Sequence, residues 1–251
     1  MNVSRADGRF AGVPREVAVR KVAAEFVGTA FLLATVVGSG IAAESLSADV
    51  GLQLLENSIA TGAVLVALIL ALQPVSAAFN PVVTLVETAL GLVRPALAAV
   101  LIVAQVLGAC VGVIVANLMF ELSAVEISTT ERVGQGTLIA EVVATLGLVL
   151  IVFGALRAAR TEVIAFAVGG YIAAAYWFTS STSFANPAVT VARMLSDTFA
   201  GIAPSSVPGF VAMQVIGGLL GLALVVLLYP TRALPTAADL TDTSPEKGTS
   251  R

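Results

Sequence analysis

Phe79-Asn80-Pro81-Val82-Val83-Thr84 and Ala185-Asn186-Pro187-Ala188-Val189-Thr190 are two copies of one polar interruption in a chain otherwise suited to lipid. Asn is a favoured N-cap, and Pro is favoured at the first helical position, where its missing N–H breaks no hydrogen bond. Each copy therefore starts a helix. Each follows a small polar run, Gln73-Pro74-Val75-Ser76 or Thr179-Ser180-Ser181-Thr182-Ser183, and each leaves room for only about three turns, too few to cross a bilayer. Irregular backbone at membrane depth persists only where protein buries it or water lines it, so two such segments point to a pore.

The flanking sequence repeats as well. Ala24-Glu25-Phe26-Val27-Gly28-Thr29 matches Ala140-Glu141-Val142-Val143-Ala144-Thr145, and Ala104-Gln105-Val106-Leu107-Gly108-Ala109 matches Met213-Gln214-Val215-Ile216-Gly217-Gly218. In both halves the order is Glu helix, Asn-Pro segment, Gln helix, which reads as an internal duplication over about 22–120 and 137–229.

Composition sets the class. Of 251 residues, 58% are apolar and 12% charged, with a mean hydropathy of +0.98, which excludes an ordinary soluble domain and gives a polytopic all-α membrane protein. His is absent and Cys110 is alone, so no disulfide, no metal site and no cofactor is expected, and a catalytic triad has no base. The net charge of −3 is unevenly spread and gives no sign of a nucleic-acid partner.

Spans of suitable length lie near Val22–Ala43, Ile59–Leu72 (beginning near Glu56), Ala96–Phe120, Thr137–Leu156, Glu162–Phe178 and Val207–Tyr229. The polar segment 1–21 and the Thr-, Ser-, Asp- and Pro-rich segment 230–251 read as cytoplasmic tails, the latter disordered. Three spans per half invert the halves and bring the short helices toward the midplane from opposite faces. The N-terminal basic residues, Arg94, Arg157, Arg160 and Arg232 fall on one side. Arg132 stands alone on the other with Glu44, Asp49, Glu121, Glu126 and Glu131, which places both termini in the cytoplasm of a plasma or inner cell membrane. Gly108/Gly112 and Gly217/Gly221 are small-xxx-small pairs suited to close helix contact.

Together these residues resemble the major intrinsic protein family, the aquaporins and aquaglyceroporins, over about Val22 to Tyr229. The resemblance implies a right-handed bundle of six tilted helices plus two half-helices, assembled as a homotetramer with one pore per subunit for water or small uncharged solutes. It makes Asn80, Pro81, Val82, Asn186, Pro187 and Ala188 the pore boxes. By offset it puts the selectivity filter at Ala60, Ala174, Ser183 and Val189. Most members have Arg where Val189 stands, so a wider, more apolar constriction without the fixed charge is expected. The resemblance also gives Glu25 and Glu141 the task of accepting hydrogen bonds from the backbone before each half-helix, with Gln105 and Gln214 at helix contacts. Arg193, one turn beyond Val189, is read as a structural ion pair or a snorkelling group, because its counterpart Glu87 points away from the half-helix start. Tyr171, Tyr176 and Trp177 are read as packing or interface residues.

The physical reading of the boxes agrees. Each half-helix aims a positive dipole end at the centre, and each Asn caps through its oxygen, leaving its amide NH2 to donate to a passing oxygen. Neutral hydroxylated solutes gain hydrogen bonds there, while cations meet two positive ends. A passive channel for metalloid hydroxides such as arsenite, glycerol-like polyols, urea and water follows. Metalloid hydroxides lead because no aromatic wall is evident for a polyol's carbon face. The alternative is a proton-coupled carrier relaying through Glu25 and Glu141.

Overall fold

The computed structural model describes residues 13–229. The expectations for segments 1–12 and 230–251 lie outside the described residues. All regular structure within them is helical: α1 (Arg15–Leu46), α2 (Val50–Leu72), α3 (Pro81–Ala89), α4 (Pro95–Met119), α5 (Gln135–Arg157), α6 (Ile164–Phe178), α7 (Pro187–Ala192) and α8 (Val207–Leu228). Single 3-10 turns at Thr161–Val163, Arg193–Leu195 and Pro204–Ser206 lead into α6, continue α7 and lead into α8.

Six helices are long and apolar enough to cross a membrane, with α6 counted together with its leading turn. Their outer faces carry exposed Phe31, Leu107, Phe166, Leu219 and Leu227, side chains that only a lipid surface accommodates without cost. α3 and α7, nine and six residues long, stop short of spanning. Proline in the first turn of α3, α4, α7 and α8 fixes where each begins.

Two boundaries differ from the sequence expectation. α1 starts at Arg15 rather than Val22, so residues 15–21 are helix and not tail, with Ala18 buried against Leu97 and Leu101. α2 starts at Val50 because Asp49 caps it, its Oδ1 accepting from Gly51 N at 2.8 Å and Leu52 N at 3.1 Å. Polar Gln53, Glu56, Asn57 and Ser58 lower the hydropathy of this first stretch but do not interrupt the helix.

The two halves pack in the same way. α1 lies against α4, α5 against α8, and α2 meets α6 across the repeats. The glycine pairs set the first two contacts. A Cβ at Gly108 or Gly112 would run into the carbonyl oxygens of Phe26 and Ala30, and one at Gly217 would sit 2.6 Å from Val142 O. Replacing Gly112 by Val therefore overpacks the α1–α4 seam, at a cost of about 1–3 kcal/mol. Its detergent-solubilised protein is expected to lose its monodisperse peak on heating well before the wild type in fluorescence-detected size exclusion. Equal melting would mean the seam has room to spare.

Candidate functional site

α3 and α7 meet N-terminus to N-terminus in the middle of the bundle. Asn80 and Asn186 have extended backbone (φ −152° and −156°) and cap their helices, the Oδ1 atoms accepting from Val82 N and Ala188 N at 2.9 Å each. Each Nδ2 reaches across: Asn80 donates to Ala185 O at 2.8 Å and Asn186 to Phe79 O at 2.7 Å. The reciprocal pair joins the two boxes into one unit. It also uses one hydrogen of each amide, so a single N–H per Asn, rather than the whole NH2, remains for a ligand.

The residue before each Asn is left-handed, with φ +49° at Phe79 and +50° at Ala185, a conformation unusual for side chains of this kind. Buried carboxylates hold both turns. Glu25 accepts from Ser76 Oγ (2.5 Å) and Ala78 N (2.9 Å) on Oε1, and from Phe79 N (2.7 Å) and Gln105 Nε2 (2.8 Å) on Oε2. Glu141 accepts from Phe184 N and Ala185 N at 2.9 Å each and from Gln214 Nε2 at 2.6 Å. Gln105 and Gln214 also donate to Thr84 Oγ1 and Thr190 Oγ1 on the half-helices, at 2.9 and 2.7 Å. Thr84 and Thr190 were not singled out from sequence, although their shared offset four residues beyond each Asn was the available signal.

A cavity of about 300 Å³ runs past the joined boxes. Asn80 and Asn186 line it, and so do Ser183 and Val189. Leu32, Val36, Leu65, Ile69, Leu148 and Ile172 supply apolar wall, and Phe79, Phe153, Tyr176 and Phe184 supply aromatic wall. The expected absence of an aromatic face is therefore corrected, and with it the reason for ranking metalloid hydroxides above polyols.

Ala60 and Ala174 are not part of this wall. Ala174 is exposed on the outer face of α6, and the α2 residues lining the cavity are Thr61, Leu65 and Ile69, the first of them one place beyond Ala60. On α6 the cavity residues are Ile164, Val168, Ile172 and Tyr176, and Tyr176 Oη lies 3.1 Å from Thr61 Oγ1. The offset failed because it was counted through non-helical linkers, where no helical phase carries over. Asn57, Ser58 and Thr61, buried on one stripe of a lipid-compatible helix, were the readable signal for α2. Val82 and Ala188 do not line the cavity, and Val82 packs against Gly218 of α8.

Arg193 departs most from expectation. It is 3% exposed, and the one ion pair among the described residues is Arg160–Glu162, so it neither snorkels nor pairs with a carboxylate. It lines the cavity, as does Glu87 toward the other end. Its Nε donates to Ala200 O, and its guanidinium carbon lies 3.6 Å from the centroid of the Phe184 ring. Arg132 approaches the same ring at 5.1 Å, fixed by donation to the carbonyls of Gly201 (2.8 Å) and Phe199 (3.1 Å), and burial pushes its pKa down.

The sequence matches the family described as major intrinsic protein over residues 14–164, more than half of the chain. It is also 46% identical, over 229 residues, to aquaglyceroporin AqpS of Rhizobium meliloti (strain 1021), covering 90% of this chain and 96% of that protein. The chain belongs to the major intrinsic protein family. As a member it is a multi-pass membrane protein and a passive channel for small neutral solutes, not an enzyme. The X-ray structure of the aquaglyceroporin from Plasmodium falciparum has the same fold, with a TM-score of 0.66 at 17% identity over 84% of this chain and 95% of that one.

Proposed function

We propose that this member of the major intrinsic protein family conducts small polyhydroxylated molecules: glycerol-like polyols, and uncharged metalloid hydroxides such as arsenous acid, with urea and water also passing. The observation that carries this reading is the two-sided character of the cavity. Aliphatic and aromatic side chains line much of it, while Asn80, Asn186, Thr61, Tyr176 and Ser183 offer hydrogen-bonding groups to hydroxyls passing the joined boxes. A solute with a carbon or metalloid body and several hydroxyls exchanges its water for both surfaces. An apolar Val189 where most members carry Arg adds width. The relative from Rhizobium meliloti, named an aquaglyceroporin, supports the same class of cargo.

In this reading the selectivity filter is formed by Thr61, Tyr176, Ser183 and Val189, and Glu25 and Glu141 brace the two turns. The chain reads as one subunit of a homotetramer in the plasma or inner cell membrane, with both termini cytoplasmic.

Stopped-flow light scattering on proteoliposomes tests the cargo. Glycerol and arsenite are expected to enter along their gradients without saturation and without response to an uncoupler. Uptake that saturates, follows a pH gradient and collapses with an uncoupler would instead establish the proton-coupled carrier.

A further inference from the structure

We propose that Arg193 is the cation barrier of this channel, a fixed positive charge displaced one turn along the second half-helix from the position where most of the family carries its Arg. The inference rests on the cavity being the permeation path. Three observations carry it. Arg193 is 97% removed from solvent yet lines the cavity, and it has no carboxylate partner among the described residues, so its charge is not cancelled locally. Its position is fixed, because Nε donates to Ala200 O and the guanidinium carbon sits 3.6 Å from the centroid of the Phe184 ring, while the terminal nitrogens have no protein acceptor among the described residues. Beside Phe184 on the chain, Ser183 is 3% exposed and lines the same cavity, and its buried hydroxyl has no hydrogen-bond partner among the described residues.

Buried polar groups are normally paired, and an unpaired one costs free energy unless something visits it. A hydroxyl that donates or accepts beside a guanidinium that only donates suits the oxygen of a neutral solute. A desolvated alkali cation finds at the same place a full positive charge in a low-dielectric wall. Stacking on an aromatic ring and bonding to a backbone carbonyl let this chain keep an uncompensated guanidinium without a carboxylate that would cancel its field. Glu87 stands at the equivalent offset in the first repeat, where Lys21 also lines the cavity, so the acid there has a basic neighbour, whereas Arg193 has no carboxylate partner among the described residues.

The test uses full-length protein in proteoliposomes, with glycerol entry read by light scattering and Na+ and K+ entry read by trapped indicators. Wild type is expected to pass glycerol and exclude both cations. Arg193→Met, which keeps stem length and apolar contact with Phe184, is expected to retain glycerol flux while cation entry rises about tenfold or more. Arg193→Lys is expected to exclude cations at pH 7 and admit them at pH 10, because a buried ammonium can lose its proton and a guanidinium cannot. That pH response answers the question even if Arg193→Met does not fold. Cation entry through the wild type alongside glycerol, or folded Arg193→Met that still excludes cations, or pH-independent exclusion by Arg193→Lys, would overturn the proposal. Failure of the wild type to pass any neutral solute would instead remove the permeation path on which it rests.

Discussion

Glu25→Gln is expected to loosen the turn before the first half-helix and to cut neutral-solute flux about tenfold or more, since at least one buried backbone N–H is left facing a donor, at a cost of about 1–3 kcal/mol in a turn already held in a left-handed conformation. All four partners of the carboxylate are donors: Ser76 Oγ and Ala78 N on one oxygen, Phe79 N and Gln105 Nε2 on the other. A carboxylate accepts on both oxygens, whereas a carboxamide accepts on one and presents an NH2 on the other. Turned one way, the new NH2 faces Phe79 N and Gln105 Nε2; turned the other way, Ser76 Oγ can rotate to accept from it, but Ala78 N still faces a donor, so at least one backbone N–H is left unmade in either orientation. Each buried donor left unmade costs about 1–3 kcal/mol. The turn has no reserve against that loss, because Phe79 already sits at φ +49°. Its carbonyl receives Asn186 Nδ2, so a shift at Phe79 moves the second Asn as well. Glu141→Gln is expected to act alike, since two of its three partners are the backbone N–H groups of Phe184 and Ala185. The measurements are thermal stability in detergent and glycerol entry in proteoliposomes. If Glu25→Gln stayed as stable as wild type and conducted downhill, losing only a dependence on the pH gradient, the carboxylate would be a relay and the bracing role would be wrong.

The parts of the site legible from sequence are those in which local chemistry dictates conformation. Asn followed by Pro can only start a helix well, and two such starts amid apolar sequence place two helix ends in the membrane interior. Glu25 with Gln105 and Glu141 with Gln214 recur at matched places, and polar side chains repeated in lipid-facing sequence must meet partners inside. What could not be read is side-chain direction beyond a break in the helix. Thr61 rather than Ala60 faces the cavity because the phase of α2 is set by its own packing on α1 and α6, not by a count back from Asn80. Tyr176 looked like a packing residue because nothing local reveals that α6 turns that stripe inward. Arg193 was misjudged because its counterpart Glu87 was taken to point away from the path, whereas both residues, at the same offset from their Asn, line the cavity. α3 stays α-helical to Ala89, whereas α7 tightens into a 3-10 turn at Arg193–Leu195, with Arg193 N still donating to Val189 O. The segment 121–134 then closes over that turn, with Ser128 N donating to Met194 O and Glu126 N to Leu195 O. Such long-range cover leaves no periodic trace in the sequence.

Val189→Arg is expected to suppress glycerol and arsenite entry about tenfold or more while leaving much of the water flux, because it narrows the passage and adds donors that water can use. Val189 is 6% exposed and its side chain faces the cavity beside Ser183, so a longer group there projects into the path rather than into packed protein. The new guanidinium lies four residues from Arg193 on the same half-helix, and two like charges at that spacing repel. Repulsion drives the added side chain away from Arg193 and further across the opening, which strengthens the block. Folding tolerates the change better than a core substitution would, since the added head group projects into the cavity, where water can solvate it, instead of displacing neighbours. Val189→Leu separates size from charge: it extends the apolar side chain without a donor, so it is expected to reduce glycerol and water together. Equal glycerol and arsenite entry in wild type and Val189→Arg would mean that solutes do not pass Val189 at the narrowest point, and the constriction would then have to be sought nearer the joined asparagines.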